Sequence, residues 1–93
     1  MIVTVITVKL YAEWVHSLKE KRMIVKSLCD KLRSRFNASV IESDAQDLHQ
    51  TVIVSIAYLS TQTPAADSTS ESIKTFIENN TDAEIVDIYI ERF

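Results

Sequence analysis

A chain of 93 residues, 46% apolar and 25% charged, has the size and composition of one globular domain, which excludes two domains, a disordered chain, a collagen and a disulfide scaffold. The net charge of -3 conceals an uneven division: eight Lys and Arg oppose three carboxylates up to Phe36, net +5, whereas two oppose ten from Asn37 onward, net -8. One cysteine, Cys29, rules out an internal disulfide and a zinc site built from several thiolates, and the absence of glycine rules out phosphate-cradling glycine loops and the dinucleotide fingerprint.

The β-branched opening predicts a strand over 2–11, with Ile2, Ile6, Val8 and Leu10 on one face and Thr7, Lys9 and Tyr11 on the other. Residues 12–16 connect it to Ser17-Leu18-Lys19-Glu20, a capping box in which the Ser oxygen accepts from the amide three residues on and Glu20 reaches back. The helix that starts there buries Leu18, Val25, Leu28, Cys29, Leu32 and Phe36, which share one arc at about 100° per residue. Asn37 ends it, as a residue that tolerates the left-handed conformation in place of glycine. A short strand follows over 38–43, a polar turn over 44–50, and a longer strand over 51–59 with Val52, Val54, Ile56 and Tyr58 on one face. The Ser/Thr-rich segment 60–66, which holds the only proline, predicts a loop within the domain. Ser68-Thr69-Ser70-Glu71 is a second capping box, opening a helix that buries Ile73, Phe76 and Ile77 and closes at Asn79-Asn80. Residues 84–93 alternate as a last strand, with Val86, Ile88 and Ile90 opposite Asp87, Tyr89 and Glu91.

The order βαββαβ predicts a single α+β domain over 1–93, of ferredoxin-like type, with two helices on one face of a four-stranded antiparallel sheet. Right-handed crossovers place the strands in the spatial order 4-1-3-2. The other face is bare and shows Val3, Val5, Thr7, Lys9 and Tyr11 from the first strand and Asp87, Tyr89 and Glu91 from the last. Its apolar content predicts a weak homodimer with Val3, Val5, Tyr11 and Tyr89 at the contact, or an edge strand in contact instead.

On the first helix Lys19, Arg22, Lys26 and Arg33 step by 3, 4 and 7 and line one flank, a spacing suited to phosphates; a merely solvated face is the alternative. Tyr11 and Tyr58 fall on opposite faces of the sheet, so no base-stacking platform of the RNA recognition motif type can be built from them. Catalytic groups are few. Cys29 lies on the apolar arc, and His49 with Asp44 and Asp47 lacks the spacing of a metal or acid-base site, so no enzyme activity, metal or cofactor is expected. Trp14 and Val15 are expected to latch over the helix start. No apolar run spans a membrane and no basic signal start is present, so a cytoplasmic location is expected.

The run His16-Ser17-Leu18-Lys19-Glu20-Lys21-Arg22, with Val25-Lys26-Ser27-Leu28, Arg35-Phe36-Asn37, Ser39-Val40, Glu42, Asp47-Leu48 and Gln50, resembles the YlxP-like family of small bacterial proteins across essentially the whole chain. The resemblance implies a ferredoxin-like fold and a bacterial cytosolic setting, with genes often beside those of translation initiation and ribosome maturation, and no established reaction. The chain departs from the family pattern near Ser55, where relatives tend to have glycine, and in its Ser/Thr-rich segment 60–70. Carried onto matching positions, the resemblance implies a binding motif of His16, Ser17, Lys19, Glu20, Lys21, Arg22 and Lys26, which adds His16 and Lys21 to the cationic flank, and offers Asp47 and Gln50 as a weaker second group. The expectation is a non-enzymatic accessory that binds ribosomal RNA or the small ribosomal subunit through His16, Lys19, Lys21, Arg22, Lys26 and Arg33. A homo-oligomeric interaction module using the open sheet face is the alternative.

Overall fold

β-branched residues alternate with a period of two through strand β1 (Ile2–Tyr11), and in the computed structural model, which describes residues 1–93, this pattern sorts its faces. Ile6, Val8 and Leu10 are buried together with Thr4, while the odd-numbered residues point the other way. Helix α1 (Leu18–Arg35) is capped by Ser17, whose Oγ accepts from the Glu20 amide at 3.1 Å. Glu20 Oε1 reaches back to the Ser17 hydroxyl, 3.5 Å away. Strands β2 (Ser39–Asp44) and β3 (Thr51–Ser60), helix α2 (Thr63–Asn80) and strand β4 (Glu84–Arg92) complete the chain.

The sheet order β2-β3-β1-β4, antiparallel throughout, is the one expected, and both helices lie on one face. This is the ferredoxin-like α+β fold. The core between the layers is one cluster of Ile6, Val8, Leu10, Val25, Leu28, Leu32, Val52, Val54, Ile56, Ile73 and their neighbours. Neither helix is long and apolar enough to cross a membrane.

Four local expectations are corrected. The segment read as a loop over 60–66 contains the first turn of α2, which begins with Gln62 as cap and Pro64 in its opening turn. Proline there is preorganised for a helix and lacks only an amide that would have had no partner. Ser70, read as part of a cap, sits inside α2, buried, and its hydroxyl meets the Tyr58 hydroxyl at 2.5 Å and the Ala66 carbonyl at 3.1 Å.

Asn37 is not left-handed, because Phe36 already leaves the helix in extended conformation (φ -124°, ψ 145°) and packs edge-on against Phe76 with ring centroids 5.6 Å apart. The left-handed residue is Ala45, at φ 56° in the turn after β2. A Cβ at that φ is unfavourable, so Ala45→Gly is expected to raise stability by about 0.5–1 kcal/mol in urea denaturation, net of the extra freedom of the unfolded chain. An unchanged or lower midpoint would contradict this.

In β4 the register slips between Lys9 and Leu10 of β1, so Ile85 and Ile88 face the helices while Val86, expected beside Ile88, occupies the bulge and is exposed.

Candidate nucleic-acid interface on the first helix

The core arc of α1 decides which of its cations are available. Lys21 follows Leu18 by three and precedes Val25 by four, which places it among the buried positions, and its side chain is 1% exposed. Its ammonium donates to the Ala45 carbonyl and lies 2.9 Å from Glu42 Oε2. Glu42 points toward the helices because it shares the parity of buried Val40. Lys21 is therefore a tie between α1, β2 and the turn that follows, and it does not stand among the phosphate-binding cations as expected.

Lys19, Arg22, Lys26 and Arg33 all stand exposed on the flank of α1 that runs beside β2. No carboxylate lies within ion-pair distance of Lys19 or Arg22. Lys26 and Arg33 share Asp30, at 2.6 and 3.2 Å. The hydrogen bond from Lys26, aided by the charges of both cations, holds the Asp30 carboxyl below the usual carboxylate range. Arg33 also donates from Nη2 to the Val40 carbonyl at 2.5 Å, so half of its guanidinium serves the sheet. Counted as charges, the flank retains +3 after Asp30 is subtracted from its four cations. Lys31 and Arg35, also exposed and without carboxylate partners, extend the positive surface around the helix.

The loop before α1 is fastened to the turn between β2 and β3. The Ala12 amide donates to the Gln50 carbonyl at 2.8 Å, Gln50 Nε2 donates to the Glu13 carbonyl at 2.9 Å, and the Tyr11 hydroxyl reaches Gln50 Oε1 at 3.4 Å. Gln50 thus has a structural role, holding the two loops together. His16 and His49 come to line one shallow cleft with Tyr11 and Leu48, a meeting that sequence spacing did not show. Asp47 is exposed beside them. No three His, Cys, Asp or Glu side chains gather closely enough to hold a metal ion. Val15 is buried as expected of a latch, but Trp14 remains 43% exposed over a groove with Met23, Ile24 and Leu28.

A family model matches residues 3–90, nearly the whole chain and with it the cationic flank and both fastened loops. The chain belongs to the family described as "Protein of unknown function (DUF503)". No curated protein matches it.

Within this DUF503 domain the cap of α1 is separable from its charge. Ser17→Ala removes the acceptor of the Glu20 amide, and the expected cost is about 1 kcal/mol in denaturation with the charged flank intact. A loss above about 3 kcal/mol would mean that Ser17 does more than cap, since capping alone does not exceed about 2. Cys29 is buried on the helix arc, and burial pushes its thiol above the usual range, which disfavours the reactive thiolate.

On the open face Val3 and Val5 are half-buried by neighbouring strands, while Tyr11 and Tyr89 are exposed. Tyr58 lies on the opposite face, bonded to the Ala66 carbonyl at 2.8 Å. A row of hydroxyls crosses the middle of the open face, with Thr7 3.0 Å from Ser55 and Ser55 2.7 Å from Ser43.

Proposed function

We propose that this DUF503 protein is a non-enzymatic, cytoplasmic accessory that docks on ribosomal RNA of the small subunit or its precursors through the outer flank of α1. The observation that supports it is the exposure of six of the seven Lys and Arg side chains of α1, of which only Lys26 and Arg33 have a carboxylate partner, and that a shared one. A helix surface that keeps its cations unneutralised attracts a polyanion and releases the polyanion's counterions on contact. The likeness of the run His16 to Arg22 to the YlxP-like family directs the reading toward ribosomal RNA rather than DNA. His16 stands at the start of the same helix, exposed and free to meet a phosphate.

Binding of the purified protein to small-subunit ribosomal RNA, followed against salt, tests this reading. Affinity should fall by about 10²-fold or more between roughly 50 and 200 mM salt if four phosphates are engaged. A flat salt dependence, or no binding at low salt, removes the proposal.

A further inference from the structure

The two outer strands of the sheet are finished differently. On β2 the Val40 carbonyl accepts from Arg33 and the Glu42 carbonyl from Gln46, at 2.5 and 3.4 Å, and the strand is broken by a bulge at Ser43. These are devices that keep another chain from pairing there. Strand β4 has a bulge as well, at Val86 near its start, but beyond it carries fewer of them. Val3 and Phe93 exchange both main-chain hydrogen bonds, at 3.2 and 2.9 Å, so the regular register beyond them turns Asp87, Tyr89 and Glu91 inward to β1 and turns the main-chain groups of Ile88, Ile90 and Arg92 outward. Of those groups only the Ile88 amide has a partner, the neighbouring Asp87 carboxylate at 2.9 Å.

The side chains along this edge are equally open. Helix α1 packs over β2 and β3, and α2 over β1 and β3, so β4 meets the helix layer through Ile85 and Ile88 at the margin of the core and through Arg92, which bonds Asp67 and Ser70 of α2. Ile90 consequently stays 49% exposed on the helix side, although it lies opposite buried Ile6. On the open face the order is Asp87, Tyr89, Glu91, with Tyr89 61% exposed and no cation within ion-pair distance of either acid. The edge therefore offers main-chain donors and acceptors, an apolar row on one side and an acidic row with one aromatic on the other.

We infer that β4 receives an extended segment of another protein as a fifth strand, one that alternates Lys or Arg with branched apolar residues. Its cations lie across from Asp87 and Glu91, and its apolar residues extend the row of Ile88 and Ile90 on the helix side of the sheet. Charge selects this occupant over a second copy of the chain. Two antiparallel β4 strands paired about Tyr89 would set Asp87 directly against the partner's Glu91, and like charges across strands are destabilising. Strand addition of this kind draws affinity from main-chain bonds and specificity from alternate side chains. The inference is independent of the RNA reading, because α1 packs over β2 and β3 whereas β4 is the opposite edge of the sheet.

The probe is a short peptide alternating Lys and Ile, added to the full chain while fluorescence anisotropy and amide hydrogen exchange are followed. Binding should slow exchange at the Ile90 and Arg92 amides, and methylating the peptide nitrogens on one edge should weaken it about tenfold or more by removing several main-chain bonds. Asp87→Lys with Glu91→Lys should transfer the preference to a peptide alternating Glu and Ile. Equal binding of the methylated peptide, or unaltered exchange at Ile90, overturns the inference by reducing the contact to nonspecific charge attraction. Concentration-dependent protection of Ile90 in the absence of peptide also overturns it, in favour of the homodimer.

Discussion

Lys21→Ala is expected to remove about 3–5 kcal/mol of stability, a large part of the roughly 5–15 kcal/mol available to a small domain. The ammonium is almost inaccessible to water, and it holds two groups that the truncation leaves behind: the Glu42 carboxylate and the Ala45 carbonyl. The carboxylate dominates, since a charge kept out of water without its partner is the costly case, whereas an ion pair replaced by apolar groups of similar volume is often neutral. Lys21→Met with Glu42→Leu should therefore recover most of the deficit, with Ala45 remaining within reach of solvent for its carbonyl. Urea denaturation of the two single variants and the double variant gives the coupling directly. A cost under about 1 kcal/mol for Lys21→Ala would show that the pair is solvated and that Lys21 belongs with the surface cations after all.

Lys21 also shows where sequence reading succeeds and where it stops. Periodicity located both helices, all four strands and the faces of β1 and β3, because a two-sided sheet leaves each side chain only two directions and an apolar residue strongly prefers one. The same periodicity marked Lys21 as buried, by its spacing from Leu18 and Val25, and the parity of Val40 and Glu42 marked its partner. Residue type, which ranks lysine as exposed, obscured both. Pro64 was read as a loop signal when it serves as a helix start, since proline suits either position and the sequence alone does not say which. The bulge at Val86 was hidden for another reason: an extra residue in a strand changes no residue type, only the register against β1. The meeting of His16 and His49, and the contrast between the two sheet edges, depend on loops and side chains distant in sequence, which no local pattern encodes.

The burial of Lys21 changes what the run from His16 to Arg22 is expected to do. Ser17 and Lys21 serve the fold through the cap and the buried tie, and Leu18 lies on the core side of the helix, leaving Lys19 and Arg22 as its free cations. Lys19→Gln, Arg22→Gln and Lys26→Gln combined should fold normally, because glutamine keeps helix propensity and none of the three side chains is buried. The slope of log affinity for small-subunit RNA against log salt should fall by about 2–3 units, close to one for each phosphate no longer engaged. Asp30→Asn tests the same surface in the opposite direction. It releases Lys26 and Arg33 from the one carboxylate that neutralises them, so binding should tighten and the slope steepen, with the fold retained because the pair stands in solvent. Two variants that move the slope in opposite senses, both folded, separate phosphate contact from a change in helix stability. If the triple variant folds and binds as the parent does, the flank is a solvated surface and the RNA reading fails. If it unfolds, these side chains pack or pair within the domain, contrary to their exposure, and α1 again loses its standing as the interface.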